Sequence, residues 1–183
     1  MNELQKNIYE IIVSIIQTDG VLKNFQDTNS YGENRVIDNS AIRYGILNYV
    51  AKYSLAKNEY LITTQCYEHI KKLGLLKRGK LLRGSKGTKH KFTFEHPIPS
   101  NIIADHIIEN IADKGRIKMI LQETDLVTAI TYNENNLINK SGFIKEMPPG
   151  SYENKDMFAR YKMSGVEVPS KKIEVYGALK RLS

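Results

Sequence analysis

The chain has little of what builds covalent or metal cross-links. Cys66 is its one cysteine, so no intramolecular disulfide and no cysteine-based zinc site can form. Long apolar runs are also missing. Spanning a bilayer takes about 20 consecutive apolar residues, and the longest stretch near the start is Ile11-Ile12-Val13-Ser14-Ile15-Ile16. That stretch follows Glu10 and leads to no small-residue cleavage motif, so we read neither a membrane span nor a signal peptide and expect a cytoplasmic location. There is no Gly-rich phosphate loop and no Gly-x-Ser-x-Gly elbow. Acids are absent from the whole span His69 to Phe94.

That acid-free span is where the positive charge sits. It holds Lys71, Lys72, Lys77, Arg78, Lys80, Arg83, Lys86, Lys89 and Lys91, nine cations, against a net charge of +7 for all 183 residues. The rest of the chain is therefore slightly acidic. A concentrated basic stretch in such a protein points to a phosphate backbone, with DNA the expected partner. The plainer reading of the same residues is a solvated, lysine-rich hairpin. With 41% hydrophobic and 26% charged residues the composition is globular. The length suits one domain, or one plus a small attachment.

Hydrophobic spacing supplies the elements. Leu4, Ile8, Ile11, Ile12, Ile15 and Ile16 predict an amphipathic helix over 2–17. Residues 24–39 read as a polar loop and 40–55 as a second helix, with a break at Asn58-Glu59. Thr63 or Thr64 caps a third helix that ends before Gly74. A strand Lys80–Arg83, a turn Gly84–Gly87 and a strand Lys89–Glu95 then form a basic hairpin. Ser100 opens a helix broken by Gly115, and a short further helix follows. Asp125–Tyr132 reads as a buried strand. Thr131 with Glu134 three residues on is a capping box for the next helix. Pro148-Pro149-Gly150 is a hard turn, and Lys172–Leu182 is a last strand or a docked tail.

The stretch Lys91 to Pro99 carries the candidate chemistry. Phe92 and Phe94 share one face of an extended segment. Glu95 and His96 then stand at the strand end, fixed by Pro97 and Pro99. An imidazole can serve as a general base near neutral pH. A carboxylate is a hard ligand for Mg²⁺ or Mn²⁺. The same pair is also an ordinary way to end a strand.

Two family resemblances follow. Helix, helix and basic hairpin over about 40–95 resemble a winged helix-turn-helix, with Thr64–Leu73 as recognition helix and Leu81–Phe94 as wing. In such a module the nine cations above meet phosphates. Glu95-His96-Pro97-Ile98-Pro99, a helical insert, Asp125-Leu126-Val127-Thr128 and Asn133-Glu134-Asn135-Asn136 resemble the HNH-type, or ββα-metal, endonucleases. That resemblance implies His96 and Glu95 as catalytic residues. It implies a Mg²⁺ or Mn²⁺ ion held by Glu95 with Glu134, Asn135 or Asn136. Asp125 stands where the family often has Asn, and the helix lacks the usual His. A PD-(D/E)xK nuclease fits less well, since it needs Glu-x-Lys on a core strand and the only one here, Glu153-Asn154-Lys155, lies in a polar stretch after Pro148-Pro149-Gly150.

The expected class is α+β: a helical, winged-helix-like DNA-binding part over 1–90, then a ββα-metal-like nuclease part with a tail over 91–183. The expected function is a metal-dependent endonuclease, of restriction type, cutting DNA. A non-catalytic winged-helix regulator or replication factor is the alternative, and a protein-binding inhibitor with a basic face a third class. Arg160 and Lys162, in a stretch read as too polar for a core, are expected on the substrate backbone. The oligomeric state stays open, a homodimer included.

Overall fold

A computed structural model describes residues 1–17, 35–82 and 90–176. The fold is mixed α+β, and the chain divides into two compact units. The division is not at residue 90. One unit joins Met1–Ala56 to Ser100–Asp125; the other joins Lys57–Pro99 to Leu126–Ser183.

The first unit is helical. It contains α1 (Glu3–Gln17), α2 (Arg35–Leu55), α4 (Ser100–Glu109) and α5 (Lys114–Glu123). The apolar spacing of α1 places Ile8, Ile12, Val13 and Ile16 in the interior. Ile46, Val50 and Tyr53 of α2 are buried, as are Ile103 and Ile107 of α4. Arg43 of α2 grips Asp105 of α4 through two hydrogen bonds of 2.8 Å. Two expectations are corrected here. Residues 35–39, read as loop, already belong to α2; residues 24–34 lie outside the described region. Gly115 does not break a helix but sits inside α5, because Asp113 caps that helix through the Arg116 N–H.

The second unit is a six-stranded sheet with helices. Its strands are β1 (Glu59–Ile62), β2 (Leu76–Lys77), β3 (Lys80–Leu82), β4 (Phe92–Glu95), β5 (Thr128–Thr131) and β6 (Lys171–Tyr176). Their order is β2-β3-β6-β1-β5-β4. β1 pairs with β5 and β3 with β6 in parallel; the other neighbours are antiparallel. α3 (Thr64–Lys72), α6 (Tyr132–Lys140) and the short α7 (Ala159–Met163) complete the unit.

β5 is buried along its length because both faces are covered. Ala129 joins Ile62, Cys66, Ile70, Leu81, Phe92 and Ile173 in one cluster, with Phe94 packed against it. Ile130 joins Ile138, Tyr161 and Val166 in another. Phe92 and Phe94 do share a face, with ring centroids 6.2 Å apart.

The strands expected to make the basic wing do not pair with each other, and its turn at Gly84–Gly87 lies outside the described residues. Those strands, β3 and β4, are separated in the sheet by β6, β1 and β5. β3 instead pairs with β2 across Arg78 (φ 52°) and Gly79 (φ 75°), the left-handed two-residue turn that matches strand twist. β4 pairs with β5. β3 also pairs with β6 in parallel, so each of the two strands has a long-range partner whose apolar residues join the same core cluster. The break expected at Asn58-Glu59 falls at residues 56–58, between the end of α2 and Glu59, which begins the strand β1.

Parallel β1 and β5 end alike. Each runs into a threonine that caps a helix: Thr63 accepts from the Cys66 N–H, and Thr131 from the Glu134 N–H, both at 3.2 Å. The expected capping box is present. Oε2 of Glu134 also accepts from the Thr63 hydroxyl at 3.0 Å, so one carboxylate ties the two caps together.

Candidate functional site

β4 has two unlike ends. At its far end Glu95 points inward and His96 follows, half-buried, with Pro97, Ile98 and Pro99 buried. Oε1 of Glu95 accepts from Arg160 Nη1 at 2.7 Å, and Oε2 accepts from the Tyr161 hydroxyl at 2.6 Å. The same Arg160 Nη1 donates to the His96 carbonyl at 2.8 Å, and Nε donates to the Phe143 carbonyl at 2.7 Å. Arg160 is 2% exposed. Burial lifts the Glu95 carboxyl above its ordinary range, against the opposing pull of Arg160 and Tyr161. Burial and the Glu95 charge push the Tyr161 hydroxyl well up. The guanidinium is thus a clamp that fixes the Glu95-His96 turn from inside.

This corrects the placement of Arg160 on a solvent-facing substrate backbone. Residues 143–161 look polar in sequence, yet α7 turns Arg160 and Tyr161 into the interior, where a carboxylate and backbone carbonyls satisfy the charge. Lys162 does face solvent, but it pairs with Asp156 at 2.8 Å. Arg160 had a sequence signal that went unread: a cation flanked by Ala159 and Tyr161 inside a short helical turn.

The expected metal donors do not converge. A hard dication needs open oxygen ligands. Glu95 has both oxygens bonded to protein, and Glu134 is 3% exposed with Oε2 accepting from Thr63 Oγ1, Thr131 Oγ1 and Thr131 N–H. Asn135 is half-buried and Asn136 exposed. Among the described residues no three His, Cys, Asp or Glu side chains form a group that could hold a metal ion. As placed, Glu95, Glu134, Asn135 and Asn136 do not fit a Mg²⁺ or Mn²⁺ site. Cys66 is buried, and its thiol is pushed up to about 12, first by that burial and then by the Glu134 charge.

The near end of β4 is open and basic. Lys91 is exposed with φ 54°, held on both sides. Its carbonyl accepts from the Tyr132 N–H at 2.9 Å, and the preceding His90 carbonyl accepts from His69 Nε2 at 2.7 Å. Lys71 and Lys72, at the end of α3, are exposed; Lys77 and Arg78, at the β2–β3 turn on the opposite edge of the sheet from β4, are exposed too. Lys80 is paired with Glu174. Arg83, Lys86 and Lys89 lie outside the described residues. Lys72, Lys91 and His69 line a polar groove of about 320 Å³ together with Tyr132 and Asn133 from the start of α6.

The fold and these two ends of β4 define a mixed α+β protein with a basic sheet unit and a buried arginine–glutamate turn. No protein-family model, curated protein or solved structure matches the chain. No helix among the described residues is long and apolar enough to cross a membrane.

Proposed function

We propose that this chain binds nucleic acid, with DNA the expected partner, through the exposed cations of the sheet unit. One observation carries the reading. Lys71 and Lys72, Arg78, and Lys91 come from three separate places in the chain, and among the described residues none of them is spent in an ion pair with a carboxylate. Cations kept solvated and unneutralised are what a phosphate backbone displaces counterions for. The test is binding to a labelled duplex across a salt series. The logarithm of affinity should fall with log salt by about 0.9 per phosphate contact. Replacing Lys71, Lys72 and Lys91 together with Gln should flatten that slope. A salt-insensitive affinity, or none, would remove the reading.

The path β4, β5, α6 supports a second reading, an endonuclease cutting the phosphodiester backbone. Glu95-His96 stands where β4 ends, β5 runs back antiparallel, and the chain enters α6 at once. His96 is half-buried with its Nε2 turned away from solvent, and its carbonyl is held by Arg160; in this reading the imidazole is the base that takes a proton from water. In this reading Glu95 positions His96 through Arg160. Supercoiled plasmid incubated with Mg²⁺, with Mn²⁺ and with EDTA tests it. Nicking that His96→Ala abolishes, with duplex affinity unchanged, supports the enzyme. Binding without nicking under every condition leaves the non-catalytic protein.

A further inference from the structure

The groove at the near end of β4 combines features that a continuous basic surface does not need. Its walls come from three elements: Gln65, His69 and Lys72 on α3, Lys91 before β4, and Tyr132 and Asn133 at the start of α6. Its volume, about 320 Å³, lies at the small end of the roughly 300–1,000 Å³ of small-ligand pockets. That is the scale of a single nucleotide. Lys91 is held in a left-handed conformation that side chains rarely adopt, with its own carbonyl accepting from the Tyr132 N–H and the preceding His90 carbonyl accepting from His69 Nε2. Strain maintained by its surroundings is a mark of functional positions.

The groove's chemistry is mixed in a particular way. Lys72 and Lys91 supply charge for a phosphate. Tyr132, half-exposed, supplies an aromatic face. Asn133 and Gln65 are exposed amides able to donate and accept along a base edge. Glu68 also lines the groove and opposes a purely anionic ligand; it can accept from a base amino group. His69 donates Nε2–H to the His90 carbonyl, which fixes its ring in the groove wall. Resting on the nucleic-acid reading, we propose that this groove is a subsite for one unpaired nucleotide of a nucleic-acid strand, its phosphate on Lys72 and Lys91 and its base stacked on Tyr132.

The experiment is fluorescence anisotropy of the full chain with a short labelled oligothymidine strand and, in parallel, with a blunt duplex. Tyr132→Ala should weaken the single strand about tenfold, as loss of one stacked base does, and leave the duplex within about twofold. Tyr132→Phe should restore strand affinity. Equal losses on strand and duplex, or wild-type affinity for both, would overturn the subsite while the nucleic-acid reading stands. Binding to neither probe in the wild type would overturn both. Free thymidine 5′-monophosphate competing as well as the oligonucleotide would replace the strand with a free nucleotide and also overturn the proposal. A circular-dichroism spectrum and melting curve for Tyr132→Ala matching the wild type would assign any loss to binding.

Discussion

The two ends of β4 start from similar raw material and reach opposite outcomes. Both present charge beside a histidine. At the far end, Glu95 and Arg160 neutralise each other in the interior, and 12% and 3% of their side-chain surfaces remain exposed. At the near end Lys91 stays exposed and is held in place by its backbone. The difference lies in what arrives from elsewhere in the chain. α7 brings an arginine and a tyrosine hydroxyl to Glu95, whereas α3 and α6 bring further polar groups and another lysine to Lys91. A charge with a buried partner becomes architecture. A charge without one remains available to a ligand.

The largest effect that could break this contrast is at Arg160. Arg160→Ala should lower the unfolding free energy by about 3–5 kcal/mol, because it strands Glu95 as a buried, unpaired carboxylate. Urea unfolding measures it. A wild-type midpoint combined with lost DNA affinity would return Arg160 to the substrate surface. Glu95→Gln should cost less, since the amide oxygen still accepts from Arg160.

Glu134 comes next. Glu134→Ala removes the acceptor that joins the Thr63 and Thr131 caps, and should destabilise by about 1–2 kcal/mol. Unchanged stability with loss of a dication-dependent activity would make Glu134 a ligand instead.

The smallest effect sharpens the open end. Lys91→Gly should leave the melting temperature equal or slightly higher, because glycine adopts φ 54° without the roughly 1 kcal/mol penalty of a side chain. The same variant should flatten the salt dependence of DNA binding by about 0.9 in slope. A lowered melting temperature would mean that the Lys91 side chain, not its backbone, supports the fold.

Much of the local structure was legible in the sequence. Isoleucine spacing gave α1, and Thr131 with Glu134 marked the start of α6, because both signals act within one or two turns. Phe92 and Phe94 declared their shared face because strand alternation is a property of the backbone. The mixed α+β class followed from such elements. β1 went unread: it is four residues long and its neighbours in the sheet come from residues 128–131 and 171–176.

The sequence by itself determined where charge and helix starts lie, since both are set by adjacent residues. Tertiary structure alone decided which charges are spent. Nothing within ten residues of Glu95 announces Arg160, which lies 65 positions away. Nothing in the basic span forbids a hairpin, yet β3 and β4 lie apart in the sheet, with Leu81 and Phe92 joined to one core cluster through β6 and β5. Local rules fix the direction of a side chain. Its partner depends on which distant segment closes the core.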